Sequence, residues 1–272
     1  SDRGPCVHER TGVDIGADVH VTGHQDRSRR QVCAVTGHCG RDDAHAEAVR
    51  LRDEQGLTFI HPFDDERVMA GQGTIGLEIA EQLEWKMPDY LAISVGDGCT
   101  IAGVWKGFKD LYAVGLIDKL PRLISAQAEG CHPINRAIAE DKPWEPMEEN
   151  TLADSIAVGV PRNADKALMA IRESNGIVVN VTDEEIMAAQ KLLGMTCGVF
   201  GEPAGVTGAA GVKKLCEQGV LGENDTVVSV VTGNGLKDVA NAIKFCGEPM
   251  SLPNDLTLLV EEFDKRGIKT DV

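Results

Sequence analysis

Apolar and polar positions follow two rhythms along this chain, and the two take turns. Short, nearly continuous apolar runs read as buried strands, and longer stretches with apolar residues three and four apart read as helices. Residues 91–95 form the first clear strand, closed by a Gly-rich turn and followed by a helix over about 101–114. Residues 121–127 read as a second strand and 133–140 as a short helix. Asn163 stands where it would cap a helix carrying Ala167, Leu168 and Ile171, and 176–181 is a third strand. Thr182-Asp183-Glu184-Glu185 has capping-box spacing, a Thr hydroxyl at the helix start with a Glu three residues on. Ile186, Ala189, Gln190 and Leu193 then keep helical spacing, 204–217 is a further helix, and 226–231 is a fourth strand. Strands alternating with helices predict an α/β fold, with a mainly parallel sheet covered on both faces. Ligands of such sheets bind beyond the carboxyl ends of the strands.

Before residue 86 the pattern is weaker. Ala44, Ala46, Ala48, Val49 and Leu51 suit a helix, 57–60 a short strand, and 74–83 a second helix. The first forty residues lack periodicity apart from a strand-like piece at 19–22, and Gly, Arg, His, Cys and Asp are interspersed there. All 13 lysines lie at or after Lys86, whereas nine of the 14 arginines precede it. Two readings of residues 1–41 stay open: a divergent, partly disordered segment, or text from a shifted frame or truncated gene. The nucleotide sequence across codon 40 separates them.

Composition narrows the function. A net charge of −16 argues against nucleic acid or an anionic membrane as partner, because phosphate backbones are repelled. No apolar run reaches the length of a membrane span and the N-terminus has no signal-peptide pattern, so a cytoplasmic location is expected. The 8 cysteines are scattered without a C-x-x-C pair and read as reduced thiols. Cys33, His38, Cys39 and His45 could be taken for a zinc set, but their spacing is poor for one tetrahedral ion and no metal is expected.

The candidate chemistry sits in two turns. Val95-Gly96-Asp97-Gly98-Cys99-Thr100 joins a strand to a helix, so backbone N–H groups and the positive end of the helix converge on one point where a phosphate can sit. The alternative is an ordinary Gly-rich connection. The loop is neither G-x-G-x-x-G nor a P-loop, which weakens any reading as a nucleotide binder. Asp97 would repel a phosphate if it faced one, so its side chain is expected to point away, and Cys99 to donate a backbone N–H. In Val231-Thr232-Gly233-Asn234-Gly235-Leu236-Lys237-Asp238, the Thr232 hydroxyl at a strand end can bond an aromatic nitrogen or simply form the turn. His61 reads as a structural loop histidine.

Together these pieces resemble one family. Phe59-Ile60-His61-Pro62-Phe63-Asp64-Asp65, the stretch 70–78, the loop 95–100, Gly201-Glu202-Pro203-Ala204-Gly205 and the turn 232–238 occur in the order seen in fold-type-II pyridoxal-phosphate enzymes. These are the threonine synthases, the serine/threonine dehydratases and their relatives, which share the tryptophan synthase β-like fold. The turn at 232–238 looks most like that of the threonine synthases. The resemblance covers roughly residues 42–250. It implies pyridoxal 5'-phosphate as cofactor, with Gly96, Asp97, Gly98, Cys99 and Thr100 around its phosphate and Thr232 at its pyridine nitrogen. A neutral hydroxyl there leaves that nitrogen unprotonated, a mild electron sink suited to elimination and replacement. Gln72, Gly73 and Thr74 match a motif near the domain junction but receive no chemical step.

The resemblance further implies a lyase converting O-phosphohomoserine to threonine, with a serine/threonine dehydratase or diaminopropionate ammonia-lyase as the second reading and a non-catalytic cofactor-binding module as the third. An amino-acid substrate and a homodimer come with it. One departure is large. The family's Schiff-base lysine and its Ser/Asn-rich substrate loop lie in the N-terminal portion, and no lysine precedes Lys86 here. Lys237 is a poor substitute, since that position is not the family's Schiff-base lysine. The catalytic residues are therefore unassigned. The chain is expected to be the C-terminal part of a longer enzyme, with 1–85 the remnant of a small mobile domain and 86–272 the cofactor-binding domain.

Overall fold

The computed structural model describes residues 19–24, 32–37, 41–246, 251–252 and 254–267, with side chains from residue 46 onward except that of Cys246. The chain divides into two compact units, 1–68 and 69–272. Most of the helix around residue 75 lies in the larger unit.

In the first unit, β1 (Val19–His24) pairs antiparallel with β2 (Val32–Gly37), Val19 opposite Gly37 and His24 opposite Val32. The short piece expected at 19–22 is thus part of a hairpin. α1 (Arg41–Gln55) follows. The strand expected at 57–60 is absent: Thr58 makes one isolated bridge, and Ile60 is exposed. A four-residue apolar run becomes a strand only if a neighbouring edge takes it up. His61 has the structural role expected of it, its Nδ1 accepting the backbone N–H groups of Phe63 (3.2 Å) and Asp64 (2.8 Å). The Cys33, His38, Cys39 and His45 side chains lie outside the described residues.

The larger unit is built on a four-stranded parallel sheet in the order β5-β4-β3-β6. Its strands are β3 (Tyr90–Ser94), β4 (Arg122–Ala128), β5 (Ile177–Val181) and β6 (Val227–Ser229). The helices are α2 (Glu66–Gln82), α3 (Cys99–Ala113), α4 (Pro133–Glu140), α5 (Ala164–Glu173), α6 (Asp183–Cys197), α7 (Pro203–Glu217), α8 (Val239–Cys246) and α9 (Leu256–Lys265). β3 and β4 are buried on both faces, as a central parallel pair must be.

Two cores follow from that. On one face Leu91, Ile93, Val95 and Leu123 pack with Ile101, Val104, Phe108, Ile134 and Leu168 of α3, α4 and α5. On the other, Ala92, Ile124, Ala126 and Val179 pack with Ile186, Ala189, Ala204, Val206 and Ala210 of α6 and α7. The capping box at Thr182 is formed, each partner bonding the other's backbone N–H. Asn163 precedes α5, but its side chain makes no cap bond; its Nδ2 reaches Met69 Sδ at 3.5 Å. α2 starts well before the expected residue 74, and its glycines explain the 70–78 motif. A Cβ at Gly73 would come 3.1 Å from Gly103 O, and one at Gly107 would overlap Gly73 O. The α2–α3 crossing is thus backbone on backbone, and only glycine allows it. No helix among the described residues is long and apolar enough to cross a membrane.

Candidate functional site

β3 ends at Ser94, the chain turns through Val95–Gly98, and α3 begins at Cys99. Gly98 sits at φ 91°, in the left-handed region, directly before the helix. A Cβ there would lie 2.7 Å from Ala167 Cβ and 2.9 Å from Asn163 O. At Gly96 a Cβ would come 3.1 Å from Ile156 Cα, because the 3₁₀ turn Asp154–Ile156 closes over the loop. Having no side chain, Gly98 leaves the first turn of α3 without a side-chain cap. Helix-start N–H groups need acceptors, and with the positive end of the helix behind them they suit an anion.

Asp97 points away from this helix start. Its carboxylate is 8% exposed, accepts the backbone N–H of Arg162 at 3.1 Å and stands 3.9 Å from that residue's guanidinium. Its carbonyl accepts the N–H of Asn163 at 3.0 Å. Asp97 therefore ties the loop to the lead-in of α5. Cys99 is buried, and Thr100 is partly exposed on the first turn of α3.

Thr232 follows β6, which pairs directly with β3, so both turns leave neighbouring strands at the carboxyl edge of the sheet. The start of α7 is wedged against both. Ser94 Oγ accepts the Gly208 N–H at 2.9 Å and donates to Gly205 O at 3.4 Å. A Cβ on Gly205 would come 2.8 Å from Gly233 N and 3.4 Å from Thr232 N. The Thr232 side chain is exposed, open to a ligand.

A residue with no role in the sequence reading holds this second turn. Glu202, buried at 5% exposure, donates its N–H to Gly233 O (2.8 Å) and accepts Lys237 Nζ on its carboxylate (2.9 Å). Gly201 bridges antiparallel to Asn234, and Gly235 N–H donates to Phe200 O at 2.8 Å. The hydrogen bond that Lys237 donates to Glu202 raises its pKa above the usual lysine value, with the Glu202 and Asp154 charges adding to the effect. Lys237, the lysine weighed as a replacement for the family's Schiff-base lysine, is thus engaged by a carboxylate. The available signal was the Glu202-Pro203 pair: a carboxylate directly before a Pro-initiated helix, in a stretch otherwise of small and apolar residues.

The site thus sets the uncapped start of α3, after Gly96 and Gly98, beside a hydroxyl that follows the adjacent strand. Among the described residues no group of His, Cys, Asp and Glu could hold a metal ion. A surface cavity of about 410 Å³ beside Trp144, Asp165 and Arg172 shares no residue with this site.

A family model described as "Pyridoxal-phosphate dependent enzyme" matches residues 14–233, beginning inside the atypical N-terminal segment. A threonine synthase of Methanosarcina acetivorans is 43% identical over 210 residues, 76% of this chain and 52% of the relative. One from Methanocaldococcus jannaschii is 40% identical over 80% of this chain and 54% of the relative. The chain spans about half the length of these curated relatives. Among solved structures, the processed form of threonine deaminase isoform 2 from Solanum lycopersicum superposes with a TM-score of 0.61 at 27% identity, covering 76% of this chain and 58% of that one. Maize serine racemase, at 22% identity and a TM-score of 0.61, shows the same fold over 83% of this chain and 63% of its own. With the family match running through the sheet, the Gly96 loop and Thr232, the chain belongs to the pyridoxal-phosphate dependent enzymes.

Proposed function

We propose that this chain carries the cofactor seat of a threonine-synthase-type lyase, which converts O-phosphohomoserine and water to threonine and inorganic phosphate. The observation that carries the reading is the uncapped start of α3 at Gly98, one strand over from Thr232, with Asp97 turned away. What supports a phosphate there is that the loop's one carboxylate, Asp97, is engaged by the Arg162 N–H, and that Gly98 leaves the helix start without a side-chain cap. In this reading the N–H groups after Gly98 hold the phosphate, with Cys99 and Thr100 contributing through the backbone. Thr232 meets the pyridine nitrogen with a neutral hydroxyl. Bound there, pyridoxal phosphate supplies the electron sink for breaking the Cγ–O bond of the substrate. The threonine synthases among the relatives favour this substrate, and the Thr232–Asp238 turn resembles that of the threonine synthases.

The likeness to threonine deaminase favours a second reading, a dehydratase acting on serine or threonine, or an ammonia-lyase acting on diaminopropionate. A third is a cofactor-binding chain without catalysis, supported by the lack of lysine before Lys86 and the engagement of Lys237 by Glu202. In each reading residues 86–272 carry the cofactor, 1–85 belong to the smaller domain, and the assembly is a cytoplasmic homodimer with no nucleic-acid or membrane partner.

One set of assays separates them. Saturable pyridoxal-phosphate absorbance with phosphate released from O-phosphohomoserine supports the synthase. Keto acid from threonine without phosphate release favours the dehydratase. Binding without turnover, and without an adduct stable to borohydride, makes the chain a silent module. No cofactor binding at all removes the assignment of the loop.

A further inference from the structure

We infer that Gln127 is a positioning residue for the phosphate loop, holding the carbonyl from which the loop departs. The inference rests on the reading of residues 95–101 as the cofactor's phosphate seat. The parallel ladder between β3 and β4 ends with Ser94 opposite Ala126, and the Val95 N–H still donates to Ala126 O at 2.9 Å. The Val95 carbonyl, one residue before Gly96, instead accepts a side-chain bond, from Gln127 Nε2 at 3.1 Å. The other end of the same amide is also held: Gln127 Oε1 accepts the backbone N–H of Asn135, in the first turn of α4, at 2.8 Å.

Asn135 is fixed in its turn. Its Oδ1 accepts Ser125 Oγ at 2.6 Å, and its Nδ2 faces Ser125 O (3.1 Å), Val179 O (3.0 Å) and Asn180 Oδ1 (2.8 Å). Gln127 is fully buried and Asn135 is 1% exposed. A buried amide is costly unless both its ends are bonded, and here they are. Gln127 lies on the face of β4 otherwise packed with the apolar residues of α3, α4 and α5, so packing alone gives no reason for a polar side chain. Its reason is geometric. A donor and an acceptor on one rigid amide span the gap between α4 and the loop, transmitting the position of β4, β5 and α4 to the backbone that cradles the anion.

The test uses the full chain, with pyridoxal phosphate as the probe. Gln127→Glu keeps the acceptor for Asn135 N–H and loses the donor to Val95 O; Gln127→Met loses both. Ser174→Ala is the control, a buried hydroxyl between β4 and α5 that bonds neither the loop nor the Gln127–Asn135 pair. The readouts are the cofactor dissociation constant by absorbance titration, the ³¹P shift of the bound phosphate, and the melting temperature. Each Gln127 variant should weaken binding about tenfold, the scale of one lost buried hydrogen bond, and move the ³¹P line. Ser174→Ala should lower the melting temperature comparably while leaving binding within about twofold. Should Gln127→Met fail to fold, Gln127→Glu carries the comparison. Unchanged binding in the Gln127 variants, or equal weakening in Ser174→Ala, overturns the inference alone. An unsubstituted chain that binds no pyridoxal phosphate overturns the reading of the loop, and this inference with it.

Discussion

Gly98 concentrates two demands on one residue: a left-handed backbone and a neighbour, Ala167, where a Cβ would go. Gly98→Ala should cost about 1–3 kcal/mol of stability in a denaturant titration, from backbone strain together with the contact, and should weaken cofactor binding. A second prediction concerns Lys237. Its half-exposed ammonium is paired with a buried carboxylate, so Lys237→Met leaves Glu202 buried without its cation. Loss of one partner costs more than the pair contributes in net terms. The lysine's folded-state value is raised above its usual 10.5, so the pair's contribution is complete below about pH 10 and fades as pH rises through the raised value. Thermal melts of Lys237→Met and the unsubstituted chain should therefore differ at pH 8 and converge in strong alkali. A constant gap across that range would show the lysine acting through packing alone.

At the scale of elements, the α2–α3 crossing and the α7 wedge are both made by glycines. Gly73, Gly103 and Gly107 let α2 and α3 touch backbone to backbone, and Gly205 and Gly208 let α7 lie against both candidate turns. Gly107→Ala would drive a methyl into Gly73 O, which only a displacement of the helix can relieve. A loss of about 1–3 kcal/mol is expected on chemical denaturation, the usual cost of overpacking. If α3 starts at the cofactor's phosphate seat, as proposed, the same displacement should weaken cofactor binding. The helical rhythm of 74–83 was legible in the sequence, but the true start of α2 at Glu66 was not. The glycines interrupt the apolar pattern for a reason that lies on α3.

For the whole molecule, the amino edge of the sheet is tied by charge. Asp89, just before β3, accepts Lys119 Nζ at 2.6 Å and the Thr226 hydroxyl and N–H at 2.7 and 2.9 Å, joining the starts of β3 and β6. The Lys119 ammonium, followed by the Thr226 bonds, holds this carboxyl well below the usual carboxylate range. A depressed folded value means the contribution is present above the unfolded value of about 4 and is lost as pH falls toward the folded one. The melting temperature should therefore drop below about pH 4, and Asp89→Asn should lower it at pH 7 while flattening that acid limb. An unchanged limb in the variant would assign the acid sensitivity to other carboxylates.

Local rules were enough to read the strand–helix alternation, the capping box at Thr182 and the Gly-rich turns after β3 and β6, because propensity, periodicity and turn chemistry are written in adjacent residues. The order of motifs then pointed to the family. Tertiary structure alone decided that Thr58 makes a bridge and not a strand, that Asp97 turns toward Arg162, and that Glu202 holds Lys237. It alone decided, too, that Gln127 bonds the carbonyl of a residue 32 positions earlier and Ser94 a carbonyl 111 positions later. Such contacts depend on where the packed sheet and helices bring distant backbone groups, and no local pattern encodes that distance.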